Sequence, residues 1–107
     1  MKKSKKDKLK KSGWRAGTAA DFLGLSDQEA ALIEIKLALA RDLKSRRQSR
    51  KLTQAQLAQL LRSSQSRVAK MEAGDPAVSL DLLLRSLFSL GVSSKQLARI
   101  FSSLETA

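Results

Sequence analysis

Gln65, Ser66, Arg67 and Lys70 occupy one six-residue stretch, and their side chains are suited to recognition. A glutamine amide donates and accepts at once, which matches N6 and N7 of adenine, while lysine donates to O6 and N7 of guanine. Arg67, beside them, can reach a phosphate or a base edge and is taken with the base-reading group. Thr53, Gln54, Arg62 and Ser64 flank this stretch. Their hydroxyl, amide and guanidinium groups suit phosphate oxygens, as do the unpaired backbone N–H groups at a helix start. Chemistry that makes or breaks bonds is poorly provided for. The chain has no cysteine and no histidine, which removes thiolate nucleophiles, the usual zinc ligands and the ordinary general base. Glu29, Glu34, Asp42, Glu72, Asp75 and Asp81 form no evident catalytic or metal-binding constellation. No enzymatic activity, cofactor or metal site is expected.

The elements that must position these residues are helices. Thr53 and Gln56 have the spacing of a capping box, in which two backbone donors at a helix start are satisfied reciprocally. They open a short helix carrying Leu57, Ala58, Leu60 and Leu61. Arg62-Ser63-Ser64 interrupts the pattern, and a second short helix over 64–73 follows, capped by Ser64 or Ser63. Leu57, Leu61, Val68 and Met71 are spaced to fill the gap between the two, and Ala58 is small enough to let them cross closely. Gln65, Ser66, Ala69 and Lys70 remain on the outer face. Gly74-Asp75-Pro76 is turn chemistry.

Helices are also expected on either side. Ser26 and Glu29 make a capping box at the start of a first helix running to about Arg47, with Leu32, Ile35, Leu39 and Leu43 as its apolar face. The basic run Lys44 to Lys51 suits the negative end of that helix's dipole. Ser79 begins a fourth helix with Leu80, Leu83, Leu84, Leu87 and Leu90, stopped by Gly91. Ser93 and Gln96 open a fifth, whose inward face is Leu97, Ile100 and Phe101. No segment has the alternation or β-branched enrichment of a strand, so the fold class is all-α with five helices.

The 107 residues suit one domain. Their net charge is +11, and its distribution is uneven. Residues 1–17 carry eight basic groups and Asp7, residues 41–70 carry nine against Asp42 alone, and the remaining stretches are mildly acidic. Two basic blocks on such a chain point to a polyanionic partner. Residues 1–12 have little to bury beyond Leu9 and are expected to form a flexible basic tail. Residues 13–25 form an apolar connecting segment with Trp14, Phe22, Leu23 and Leu25, read as a cover for one end of the core or as a docking segment. Residues 26–107 form the helical domain. No signal peptide or membrane-spanning stretch is visible, so a cytoplasmic protein is expected. Neither an amphipathic helix nor a lipidation signal supports a membrane role for the lysines.

Residues 40–90 resemble the helix-turn-helix regulators of the phage-repressor (XRE-like) family. Gln54, Leu57, Ala58, Leu61, Gln65, Ser66, Val68, Met71, Glu72 and Gly74 stand at the family's spacing. The resemblance implies a domain in which Gln54 and Ser64 contact phosphates while Gln65, Ser66 and Lys70 read bases. It implies a structural role for Glu72, tying the motif to a basic residue of the first helix. Arg62 departs from the pattern, standing where the turn usually has glycine, and Ser63 stands where a small apolar residue is usual. A left-handed backbone at position 62 would strain arginine more than glycine.

Helix-turn-helix geometry also occurs in ordinary helical domains, but here the basic block over 41–70 coincides with the polar outer face. Double-stranded DNA is therefore the expected partner, and transcriptional repression by occupying a promoter the expected function. Homodimerisation through the leucine-rich fourth and fifth helices is expected as well. Chain length, the motif and the Trp14–Leu25 segment are also similar to HigA-type antitoxins. That resemblance implies an alternative in which a small ribonuclease toxin is a second partner and the protein represses its own operon.

Overall fold

The computed structural model describes Gly24 and residues 26–105, and over the described residues it contains five α-helices and no strand. The expected tail 1–12 and, apart from Gly24, the connecting segment 13–25 lie outside the described residues. Helix α1 spans Asp27–Ser49, α2 Gln54–Leu61, α3 Gln65–Ala73, α4 Leu80–Ser89 and α5 Ser94–Glu105. The long α1 is the spine: α3, α4 and α5 all pack on it, and α2 packs on α3.

Local chemistry sets where each helix begins. Ser26 Oγ accepts the Glu29 N–H at 3.1 Å, while the Glu29 carboxylate accepts the Ser26 N–H at 2.8 Å. Thr53 with Gln56 and Ser93 with Gln96 repeat that exchange. Ser64 and Ser79 each accept one first-turn N–H. A single cap of this kind is worth about 1 kcal/mol.

The first four helices also end alike. In each, one backbone N–H reaches five residues back and the preceding one three: Leu52 to Arg47, Ser63 to Ala58, Asp75 to Lys70 and Val92 to Leu87 are the longer bonds. This Schellman arrangement needs a left-handed residue just past the helix. Gly74 and Gly91 supply it at two ends, with φ of 72° and 86°. Lys51 and Arg62 supply it at the other two, with φ of 57° and 55°.

The core runs through all five helices. Leu39 and Leu43 of α1, Leu57 and Ala58 of α2, Val68 and Met71 of α3, Leu83 and Leu87 of α4 and Leu97 of α5 form one buried cluster, with Val78, Leu90 and Val92. Ser86 is buried there with its hydroxyl satisfied, donating to the Leu82 carbonyl at 2.8 Å. Two apolar positions expected to face inward do not: Leu32 is 43% exposed and Phe101 38%. Helical periodicity identifies a face of each helix but not where neighbouring helices stop covering it. The core takes α1 from Ile35 onward and the partly buried Ile100 of α5, leaving Leu32 beyond its edge and Phe101 beside it.

Candidate nucleic-acid interface

Helices α2 and α3 meet as the spacing predicts. Leu57, Val68 and Met71 are fully buried between them and α1, Ala58 is 4% exposed, and Leu61 packs at the margin. That packing leaves Gln65, Ser66, Arg67 and Lys70 exposed on α3, with Ala69 half-buried among them. Thr53, Arg62 and Ser64 are exposed as well, at the start of α2, in the turn and at the start of α3.

The caps shape what the two helix starts can still offer. Thr53 Oγ1 and Ser64 Oγ each accept one N–H, so each hydroxyl keeps a hydrogen to donate; Ser64 Oγ also lies 3.4 Å from Ser66 Oγ. The N–H groups of Gln54 and Ala55, and of Gln65 and Ser66, occupy first-turn positions without an intrahelical acceptor. Each start therefore presents backbone donors at the positive end of a helix dipole.

Gln54 is half-buried, and its amide already has a partner. Its Nε2 donates to Glu72 Oε1 at 3.1 Å. Arg47 grips the same carboxylate with two bonds, Nε to Oε2 at 2.6 Å and Nη2 to Oε1 at 3.0 Å, and sends Nη1 to the Leu52 carbonyl at 2.8 Å. Three elements are thus pinned at one point: the end of α1, the start of α2 and the end of α3. Hydrogen bonding to Glu72 raises the Arg47 guanidinium above its ordinary range, against the opposing effect of burial. The expected structural role of Glu72 is realised here, and Arg47 is the basic residue it ties.

The turn has the geometry that disfavours its residue. Arg62 sits at φ 55° and ψ 47°, in the left-handed region. The next residue, Ser63, has its hydroxyl buried with no hydrogen-bond partner among the described residues. Both departures from the expected pattern therefore carry a cost, one in backbone strain and one in an unsatisfied polar atom.

The nine cations of residues 41–70 divide into two groups. Arg46 pairs with Asp42, Arg47 with Glu72, and Arg50 donates to the Leu90 carbonyl. Arg41, Lys44, Lys51, Arg62, Arg67 and Lys70 make no ion pair or side-chain hydrogen bond among the described residues. Arg62, Arg67 and Lys70 belong to the turn and to α3. Lys51 stands two residues before the α2 cap.

Sequence spacing did not reveal what faces α3 from across the chain. An open cleft of about 600 Å³ separates Ser64, Ser66, Arg67 and Lys70 from Ser79, Asp81, Leu82 and Arg85 at the start of α4. Arg85 is largely exposed and lies 3.0 Å from Asp81, one helical turn away. A lone cation among the leucines of α4 reads as ordinary solvation, so no sequence signal marked it. Among the described residues no group of three or more acidic residues is placed to hold a metal ion. No helix there is long and apolar enough to cross a membrane.

Residues 38–100, spanning the end of the spine through most of α5, match the profile of a family described as a helix-turn-helix domain. The chain belongs to that family. No curated protein and no solved structure matches it significantly. The helix-turn-helix domain is the framework of a DNA-binding regulator, and in this one α2 and α3 form the motif, with α1, α4 and α5 as its support.

Proposed function

We propose that the protein is a sequence-specific DNA-binding transcriptional regulator that lays α3 in the major groove and represses by occupying its site. One observation carries this reading: Gln65, Ser66, Arg67 and Lys70 are exposed on a helix whose opposite side is locked in the core. Gln65 reads adenine through its amide, Lys70 and Arg67 donate to guanine, and Ser66 donates or accepts at either. Thr53, Gln54, Arg62 and Ser64 hold phosphates and set the depth of α3. No reaction is assigned to the chain, and the proposed site of action is the cytoplasm.

Binding as a homodimer is part of the proposal. The leucines of α4 and α5 are mostly consumed by the core, but Phe88 on α4 is 52% exposed and Phe101 on α5 38%. These two rings are the apolar surface those helices leave for a second copy. The antitoxin alternative draws its support from the Trp14–Leu25 segment, and co-purification with a small protein encoded next door tests it.

The test of base reading is Gln65→Ala, measured on a preferred site and on unrelated duplex at the same salt. Specific binding should weaken by about 1–3 kcal/mol, with nonspecific binding unchanged. Equal losses on both duplexes would remove Gln65 from base reading.

A further inference from the structure

The first third of α1 carries an apolar surface that the helical core does not use. Ala30, Ile33 and Leu37 follow one another at helical spacing on one stripe, and Leu32 leads a second stripe through Ile35 and Leu39. Leu39 is fully buried and Leu37 lies against the end of α3 beside Gly74, yet Leu32 and Ile33 are 43% and 38% exposed. Ala30 is 1% exposed although it stands outside the core cluster.

We propose that the apolar segment from Trp14 to Leu25 folds back at Gly24 and seats on this part of α1, covering Leu32 and Ile33. Three features select that occupant. Gly24 has φ +73°, the left-handed geometry of a chain reversal, two residues before the Ser26 cap. Leu25 and Ala30 hold the N′ and N4 positions, which a hydrophobic staple joins across a helix start. The segment brings Trp14, Phe22, Leu23 and Leu25, and its tether to α1 gives it an effective concentration in the millimolar range.

A second copy is the weaker occupant. A stable dimer buries about 800 Å² on each partner, and two partly exposed aliphatic side chains on a third of one helix fall well short. Reach is sufficient: ten extended residues span up to about 33 Å, whereas residues 27–37 of a helix cover about 15 Å.

Trp14 is the chain's one tryptophan, so its emission reports on the seat directly. In the full chain its emission should be blue-shifted from that of free tryptophan, with acrylamide quenching reduced several-fold, independently of protein concentration. Replacing Leu32 and Ile33 together by serine should return both signals toward those of free tryptophan without loss of helical circular dichroism. Phe88→Ser should leave them in place. Contacts between the Trp14 indole and the Ile33 methyl groups, read by nuclear Overhauser effects in the unaltered chain, decide the matter independently of how the variant folds. Free-tryptophan behaviour in the unaltered chain would overturn the proposal. So would a blue shift lost on dilution, which assigns the face to a second copy, or one indifferent to the double substitution.

Discussion

The Glu72 carboxylate receives three hydrogen bonds, two from Arg47 and one from Gln54, and is 3% exposed. Such a bridge is a poor source of net stability, because two ions must leave water, but removing one partner strands the other. Glu72→Ala should therefore destabilise the domain by about 3–5 kcal/mol in denaturant unfolding. Replacing Arg47 and Glu72 together by methionine should recover most of that loss. DNA affinity separates positioning from stability: the stable double variant should still bind weakly, since Gln54 no longer has the carboxylate that fixes its amide. Full affinity in that variant would reduce the network to a fold element. Its pH response follows from the sign of the Arg47 shift. A guanidinium raised above its ordinary value contributes fully below its unfolded pKa and fades only as pH rises through the higher folded one. The Arg47 contribution should thus be flat across neutral pH.

Among the elements, the turn between α2 and α3 is where stability and binding diverge. Gly91 stands in open space, so its side chain is missing for backbone geometry alone, whereas a Cβ at Gly74 would come within 2.5 Å of Leu37 Cδ2. Arg62 has the same left-handed geometry with a full side chain, a conformation that costs about 1–3 kcal/mol in a residue other than glycine. Arg62→Gly should raise the unfolding free energy by about 1 kcal/mol while weakening DNA binding and lowering the salt slope by about 1. A variant that is more stable and binds undiminished would take Arg62 off the phosphate backbone.

The helix starts were legible in the sequence because each cap joins residues three apart, as Thr53 and Gln56 do. The α2–α3 core was legible because Leu57 and Leu61 recur at helical spacing on one helix and Val68 and Met71 on the next. Arg47 was anticipated only as a basic residue of the first helix, since its partner lies 25 positions away. Arg50 reaching Leu90 and Lys36 reaching the Pro76 carbonyl span 40 positions and leave no local trace. Lys51 ends α1 in a turn that the absence of glycine concealed.

Across the whole chain most of the cations fall into two blocks of sequence, residues 1–17 and residues 41–70. Of the cations in residues 41–70, those on the turn and α3 face the proposed interface, while seven lysines stand within residues 1–12. Phosphate contacts release counterions and set the salt dependence of binding, whereas base contacts do not. Deleting residues 1–12 should lower affinity for all duplexes alike and flatten the log–log salt slope by about 0.9 for each lysine seated on a phosphate. An unchanged slope would place the tail off DNA.

Sequence reading by α3 is tested most directly by selection from a random duplex library at near-physiological salt, using the full chain and Gln65→Ala in parallel. The full chain should recover one inverted repeat with half-sites about 34 Å apart, and the variant should lose preference at one base pair in each half. Recovery of no consensus by the full chain would contradict major-groove reading by α3 and leave its exposed polar face without that role.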